Sequence, residues 1–203
     1  MTTKIVKINW KDPDPALKEA AQKVKAGKII IYPTDTLYGI GADINNEKAV
    51  DQIFKIKKRE SDQPILILIE KPSDLLPLVK QIPLIGSELI QRFWPGPLTL
   101  VFEASETLST RLTGKSGKIG IRCPNSPLVQ RLLFFLGSPI TATSANRSHK
   151  PPCRTAREAQ ESFGGEVDLI LDGGPSRSEP STVVDVTGEK IEIIRQGKIR
   201  IEM

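Results

Sequence analysis

A lysine and an arginine lie close together where a predicted amphipathic helix ends, and such a pair could bind an anion. Val50, Ile53 and Phe54 form an apolar stripe at helical spacing, and Lys57 continues the same face. A lysine at the end of a buried stripe either extends its ammonium group to solvent or directs it into a cleft. Arg59 follows shortly after, and its planar guanidinium suits phosphate oxygens. The spacing therefore predicts that Lys57 and Arg59 can face one phosphate-bearing ligand.

Hydroxyl, amide and guanidinium groups follow several predicted strands at the point where each strand ends. These groups belong to Thr34, Asp35, Thr36, Arg122, Thr143, Ser144, Asn146, Arg195 and the segment 172–175. In open α/β sheets, ligands bind beyond the carboxyl ends of the parallel strands. We therefore expect a polar, cationic cleft at these strand ends, although loops are also polar simply because they are solvated.

The segment 144–148 follows a predicted strand directly and is rich in hydroxyl and amide groups. A loop of this kind can direct backbone N–H groups at a phosphate. The chain lacks the Walker lysine pattern, which excludes a P-loop site, and it has no Gly-x-Gly-x-x-Gly run. Gly39-Ile40-Gly41 is interpreted as a tight turn after Tyr38. The single histidine, His149, is expected to face solvent and to take no part in catalysis.

Short β-branched runs alternate with amphipathic stretches along the chain, and this alternation predicts an α/β fold. Strands are predicted over 28–32, 65–69, 98–102, 118–122, 140–143, 167–171, 182–186 and 190–195. Helices are predicted over 17–24, 50–57, 73–79, 87–93 and 129–136, and from Thr155 to near Gly164. We expect a mixed sheet covered by helices, partly antiparallel because the last strands lie close together.

Composition limits the class of protein to which the chain can belong. Its 203 residues suit one domain, and 38% hydrophobic with 26% charged residues is typical of a globular protein. The apolar runs are too short to span a bilayer and the N-terminus does not resemble a signal peptide, so we expect a cytoplasmic location. Two cysteines and one histidine exclude a Cys/His zinc cluster within one chain. The net charge of +5 suits anionic ligands such as nucleotides or RNA.

Several segments together resemble the YrdC/TsaC threonylcarbamoyl-adenylate synthases, over residues 15–197. The segments are 32–41, Lys57-Lys58-Arg59, 92–99, 121–124, Ser144-Ala145-Asn146 and 180–183, together with Arg195. The resemblance implies a single YrdC-like domain over residues 1–203, with a twisted mixed sheet and helices around a deep basic cavity. Longer relatives carry an additional C-terminal domain, which this chain is expected to lack.

The resemblance also implies a nucleotidyltransferase reaction. L-threonine, bicarbonate and ATP carrying Mg²⁺ would give threonylcarbamoyl-adenylate and pyrophosphate, and no tightly bound cofactor or protein metal site is expected. Partner proteins would then transfer the threonylcarbamoyl group to the tRNA adenosine beside the anticodon. The resemblance assigns Thr34, Arg122 and Ser181 to threonine. It assigns Lys57, Arg59, Ser144, Asn146 and Arg195 to the nucleotide, with Lys57 and Arg59 as the catalytic residues.

The chain departs from the family pattern at three places and leaves two other functions open. Relatives often have proline at Glu60, commonly have glycine at His149, and in many cases have histidine near Leu68. The alternatives are an RNA-binding module without catalysis and a YrdC-fold paralogue that acts on another substrate. The 5% aromatic content argues against an RNA-binding module, which usually exposes stacking aromatics. The Lys-x-Arg and Ser-x-Asn pairs argue against the paralogue.

Overall fold

The computed structural model describes residues 2–58 and 64–201, and in them strands and helices form an α/β arrangement, as predicted. The strands are β1 (Lys4–Lys7), β2 (Ile30–Pro33), β3 (Tyr38–Gly41), β4 (Ile67–Leu68), β5 (Leu98–Glu103), β6 (Lys118–Arg122), β7 (Ile140–Thr141), β8 (Thr143–Ser144), β9 (Leu169–Asp172), β10 (Thr182–Asp185) and β11 (Glu192–Arg195). The helices are α1 (Asp14–Lys25), α2 (Glu47–Lys57), α3 (Leu84–Phe93), α4 (Thr110–Thr113), α5 (Pro127–Leu136) and α6 (Ala156–Phe163), with 3-10 helices at Pro72–Leu78 and Gly114–Ser116. Among these described residues, no helix has the length and hydropathy needed to cross a membrane. Arg59 and Glu60 lie outside the described residues.

The strands divide between two mixed sheets. The first sheet has the order β1-β9-β2-β3-β8, in which β1, β9 and β2 are parallel and β3 is antiparallel to both of its neighbours. The second has the order β11-β10-β5-β6-β4-β7, and β10 pairs in parallel with β5. β10 and β11 are antiparallel, which confirms the expectation from their closeness in sequence.

The predicted strand over 140–143 does not stay in one sheet. β7 pairs with β4 in the second sheet, whereas β8 pairs with β3 in the first. Ala142 lies between them, and its N–H donates a hydrogen bond to the Leu66 carbonyl over 2.8 Å. The chain therefore crosses from one sheet to the other at Ala142, and the segment that begins at Ser144 leaves from the place where the sheets meet.

Gly39-Ile40-Gly41 is part of strand β3, so its interpretation as a tight turn is wrong. The strand runs antiparallel to β2 and pairs Gly41 with Ile30 and Gly39 with Tyr32. A Cβ on Gly41 would lie 2.6 Å from Cε1 of the buried Tyr32 ring and 2.7 Å from Ile140 Cδ1. Glycine occurs within a strand where another group approaches closely. The residue therefore provides space for an aromatic ring, which the local sequence pattern does not reveal.

Strands of the first sheet direct alternate side chains into two apolar cores. Ile29 and Ile31 face a core shared with α2, α6 and the second sheet, whereas Ile30 and Tyr32 face a core formed with α1 and α5. The helical stripes predicted over 17–24 and 129–136 are buried in the latter core, as expected. Both faces of the first sheet are therefore covered.

The second sheet has one covered face and one open face. Leu98, Leu100 and Ile121 are fully buried in the core shared with α2 and α6. The residues that alternate with them, including Thr99 and Arg122, point the opposite way and line a cavity. The period of two along β5 and β6 therefore decides which side chains reach the candidate site.

Candidate active site

A cavity of about 780 Å³ lies over the open face of the second sheet and is bounded on the other side by residues of the first sheet. The structure brings most of the predicted strand-end residues to its wall. These residues are Thr34, Thr36, Arg122, Thr143, Ser144, Asn146 and Arg195, joined by the predicted Ser181. The segment 172–175 is not part of the lining. It supports the wall from behind, because the Gly174 carbonyl accepts a hydrogen bond from the Tyr38 hydroxyl over 2.7 Å.

Two arginines end a row of residues that crosses the floor of the cavity. Strand register pairs Val183 with Thr99 on one side and with Arg195 on the other. The antiparallel register of β5 and β6 continues the row to Arg122. A guanidinium group therefore lies at each end of the floor, with Val183 and the hydroxyl-bearing Thr99 between them.

Arg122 is buried, with 3% of its surface exposed. Its Nη2 lies 3.2 Å from Asp35 Oδ1 and its Nη1 donates to Thr36 Oγ1 over 3.2 Å. Burial lowers the pKa of Arg122, and the Asp35 carboxylate opposes this shift. The Nε atom has no hydrogen-bond partner among the described residues. A buried N–H of this kind is costly unless it is satisfied, so Arg122 is suited to hold an anionic ligand.

Ser181, which directly precedes β10, is held by side chains of β5 and β11. Arg195 Nη2 donates to the Ser181 carbonyl over 2.9 Å and to its Oγ over 3.1 Å. The hydroxyls of Thr99 and Ser181 lie 2.9 Å apart. Partial burial and then the charge of Arg122 lower the pKa of Arg195. Arg195, which the resemblance assigns to the nucleotide, therefore contacts a residue assigned to threonine, and Thr99 is a cavity residue that the sequence analysis missed.

The Thr34 hydroxyl organises the turn between β2 and β3. It donates to the Leu37 carbonyl over 2.7 Å and accepts from the N–H groups of Thr36 and Leu37 over 3.1 and 3.2 Å. These contacts occupy the one proton and both lone pairs of a hydroxyl. Thr34 thus lines the cavity while it fixes the shape of the wall.

Lys57 is buried on the inner face of α2, as the helical stripe predicts, with 3% of its surface exposed. Its Nζ donates to the carbonyls of Ser144 and Asn146, the latter over 2.7 Å. The carboxamide nitrogen of Asn146 donates to the carbonyls of Arg147 and Lys150 over 2.9 Å each. Lys57 thus lies behind the Ser144–Asn146 loop rather than in the cavity lining.

Arg147 fastens the same loop to two helices, although no sequence pattern singles it out. Its guanidinium donates to the Ile56 carbonyl at the end of α2 and to the Ser162 carbonyl of α6, the latter over 2.9 Å. It also forms a paired contact with the Glu166 carboxylate. The contact to Ile56 satisfies one of the carbonyls that a helix leaves without a partner at its end.

His149 is exposed, in agreement with the expectation that it faces solvent. Its backbone has φ 63°, which is the left-handed conformation that favours glycine. The position where relatives commonly have glycine therefore keeps the glycine-like conformation in this chain, even though its residue type differs.

Comparison with known proteins shows to which family the chain belongs. The family model for Sua5, YciO and YrdC proteins, described by the words telomere recombination, matches residues 22–197. The chain belongs to the Sua5/YciO/YrdC family. The resemblance inferred from the sequence is thereby confirmed.

Members of this Sua5/YciO/YrdC family with named activities are similar to most of the chain. The threonylcarbamoyl-AMP synthase of Pyrococcus abyssi is 36% identical over 201 residues, which cover 98% of this chain and 59% of that protein. The threonylcarbamoyl-AMP synthase of Vibrio campbellii is 32% identical over 183 residues, which cover 89% of this chain and 98% of that protein. The chain therefore spans less than two thirds of the archaeal relative and nearly all of the bacterial one.

A solved structure of a family member confirms the YrdC-like fold. The crystal structure of P. abyssi Sua5 complexed with L-threonine matches with a TM-score of 0.92 and 37% sequence identity. The match covers 96% of this chain and 58% of the Pyrococcus chain.

Proposed function

We propose that this Sua5/YciO/YrdC protein is a threonylcarbamoyl-AMP synthase that acts as a nucleotidyltransferase on L-threonine, bicarbonate and ATP. One observation carries the proposal: Arg122 and Ser181, assigned to threonine, line the same cavity as Ser144 and Asn146, assigned to the nucleotide. The names of the Pyrococcus and Vibrio relatives and the threonine-bound Pyrococcus structure support it.

The cavity floor suits the binding of threonine and the formation of its carbamate. The Arg122 guanidinium would bind the threonine carboxylate through a charge-assisted hydrogen bond from Nε. The threonine amine would then attack the bicarbonate carbon, with loss of water, to give the carbamate. An ordinary tyrosine is already neutral at pH 7, and burial raises the pKa of the wall residue Tyr38 further, to about 12, so Tyr38 adds no negative charge beside the anions. Catalysis of this step would rest on positioning.

The second step joins the carbamate to the nucleotide. A carbamate oxygen attacks the α-phosphorus, the bond to the β-phosphate oxygen breaks, and pyrophosphate leaves. This step needs positive charge and fixed donors near the phosphates. We assign this role to the loop that contains Ser144 and Asn146, to Lys57, which holds that loop, and to Arg59, which lies outside the described residues. Removing either cation should cost about 2–4 kcal/mol of transition-state stabilisation.

Mg²⁺ enters the proposal as part of the ATP substrate, bound by phosphate oxygens and water. In the ranges 2–58 and 64–201, no group of three or more His, Cys, Asp or Glu side chains is arranged to hold a metal ion. The product is a reactive mixed anhydride. We propose that transfer proteins in the cytoplasm deliver its threonylcarbamoyl group to the tRNA adenosine beside the anticodon.

One assay tests the proposal directly. Purified protein is incubated with ATP, Mg²⁺, bicarbonate and a panel of amino acids, and pyrophosphate release is measured. We expect release that depends on threonine and that falls in Lys57→Ala but not in Lys55→Ala, an exposed lysine on the same helix. Release that ignores threonine would reject the proposal. Tight, salt-sensitive binding of tRNA without ATP turnover would instead support the RNA-binding alternative.

A further inference from the structure

Basic side chains line the cavity, and most of them are already held by a neighbour. Those in the described part of the lining are Lys118, Arg122, Arg154 and Arg195. Lys118 Nζ lies 2.7 Å from Asp185 Oδ2, Arg122 pairs with Asp35, and Arg195 donates to Ser181. These contacts fix the positions of three cations before any ligand arrives.

Arg154 differs from the other three. Its guanidinium makes one long hydrogen bond, from Nη1 to the Ser176 carbonyl over 3.4 Å, and no ion pair with a described residue. Its backbone, in contrast, is firmly held: the N–H donates to Glu158 Oε2 and the carbonyl accepts from Ser176, each over 2.7 Å. The side chain is exposed, so an anchored arginine extends an uncommitted charge at the mouth of the cavity.

Arg154 lies beside the loop that our proposed function assigns to the nucleotide. The N–H of Cys153 donates to the carbonyl of Ala145 over 2.7 Å, which joins the two segments. The side-chain groups of that loop are largely bonded within it, because the Ser144 hydroxyl donates to Asn146 Oδ1 and the Asn146 carboxamide donates to two carbonyls. Among the described cations of this wall, Arg154 is therefore the one whose charged group is able to turn toward a ligand.

We propose that Arg154 binds the outer phosphates of ATP, those that leave as pyrophosphate. This inference rests on the proposed function. A guanidinium offers two parallel N–H donors that match a phosphate. Arg122, deep on the floor, is suited to the threonine carboxylate, whereas pyrophosphate has to leave through the mouth, where Arg154 lies. The residue would therefore bind the leaving group and help to neutralise the charge that develops on it.

Nucleotides of different phosphate length test this inference. Calorimetry measures how tightly the wild-type protein and the Arg154→Ala variant bind three ligands: a non-hydrolysable ATP analogue, pyrophosphate and AMP. We expect Arg154→Ala to weaken the binding of the ATP analogue and of pyrophosphate by about tenfold, the effect of losing a charged hydrogen bond, and to change AMP binding by less than about twofold. Arg154→Lys keeps the positive charge but loses the two parallel N–H donors of the guanidinium. Its affinity for the ATP analogue and for pyrophosphate should therefore lie between those of wild type and Arg154→Ala.

Arg157→Ala is the matched control. Arg157 lies on the solvent face of α6 with 88% of its side chain exposed, and it pairs with Glu161 one turn along the helix. The Arg157→Ala substitution should leave the affinities for the ATP analogue, pyrophosphate and AMP unchanged. If wild type and Arg154→Ala bound the ATP analogue and pyrophosphate equally well, this inference would be overturned, whereas the proposed function would stand. The same would follow if Arg154→Ala lost as much affinity for AMP as for the ATP analogue, because Arg154 would then not act on the outer phosphates. A wild-type chain that binds no nucleotide would overturn both this inference and the proposed function.

Discussion

The Nζ atom of Lys57 lies 2.7 Å from the carbonyl oxygen of Asn146, so one buried ammonium group joins the end of α2 to the loop after β8. The same group donates to the Ser144 carbonyl, and the Lys57 carbonyl accepts from the N–H of Ser148 over 3.0 Å. The helix end and the loop, which the sequence presents as two separate motifs, therefore form one structural unit.

Lys57→Met should lower both stability and activity. The substitution keeps a similar length but leaves the carbonyls of Ser144 and Asn146 without their buried donor, which costs about 1–3 kcal/mol in the free energy of unfolding. Urea denaturation measures this loss, and Lys55→Met on the exposed face of α2 should change it by less than about 0.5 kcal/mol. If Lys57→Met abolished pyrophosphate release at unchanged stability, the ammonium group would act on the substrate and not through the loop.

Thr99→Val should weaken the binding of threonine and leave that of ATP unchanged. The Ser181 hydroxyl would lose its partner at 2.9 Å, while the contact from Arg195 would remain. The loss of one hydrogen bond predicts a rise in the KM for threonine of about five- to tenfold. Thr99→Ser retains the hydroxyl and should restore the wild-type value. Equal effects of the valine and serine variants, or a parallel rise in the KM for ATP, would show that Thr99 acts only in packing.

Gly41→Ala should destabilise the protein, whereas Gly39→Ala in the same strand should be tolerated. A Cβ on Gly41 would overlap the Tyr32 ring, and overpacking of this kind costs about 1–3 kcal/mol. A Cβ on Gly39 would lie 3.6 Å from Tyr32 Cζ, which is an ordinary contact distance. Urea denaturation of both variants should show a lower unfolding midpoint for Gly41→Ala alone. Comparable midpoints would contradict the close approach of the ring.

His149→Gly should raise stability. The φ of 63° is strained for any residue with a side chain by about 1 kcal/mol, and glycine adopts it without that cost. Lys150→Gly is the control, because Lys150 is also exposed but is not among the residues with positive φ, and this variant should be slightly less stable than wild type. Thermal unfolding in which both variants shift the same way would disprove the prediction.

Asp185→Asn should destabilise the protein at neutral pH and much less in acid. Burial alone would raise the pKa of Asp185, but hydrogen bonds from Lys118 and Thr187 outweigh it and lower the pKa below the ordinary 3.8. A lowered pKa means that the carboxylate stabilises the fold above the ordinary value and loses this effect as pH falls through the folded value.

We expect the Asp185→Asn variant to lose about 1–2 kcal/mol at pH 7, a modest figure because Lys118 is partly exposed to solvent. The gap to wild type in urea denaturation should narrow below about pH 4. If the difference in the free energy of unfolding between wild type and Asp185→Asn stayed constant from pH 7 to below about pH 4, Asp185 would stabilise the fold through its shape and not through its charge.

Patterns among residues that lie near one another in the sequence predicted much of this structure. The stripe that contains Val50 and Ile53 predicts both helix α2 and the burial of Lys57, because helical periodicity depends only on local spacing. The partners of Lys57 could not be predicted, since they follow 87 and 89 residues later. Proximity across such a separation depends on the order of the strands, which local patterns do not encode.

The missed residues have a similar explanation. Thr99 lies in a run of residues with β propensity, and only the open face of the second sheet makes it a cavity residue. Arg154 stands out only after the partners of the other cations are known. Strand β3 was misread because the Tyr32 ring that requires glycine there comes from the neighbouring strand. In each case a contact between separate elements determined the outcome.

The crossing of the chain at Ala142 has a consequence for how the sequence can change in length. One added residue between β7 and β8 would invert the side chains of one strand or the other, because strand side chains alternate with a period of two. Either the buried Thr141 or the cavity residue Thr143 would then face the wrong way. The exposed turn at residues 188–190 has no such restriction and can accept an insertion. Insertions are thus excluded at Ala142, where the two sheets meet, and tolerated in the turn between β10 and β11.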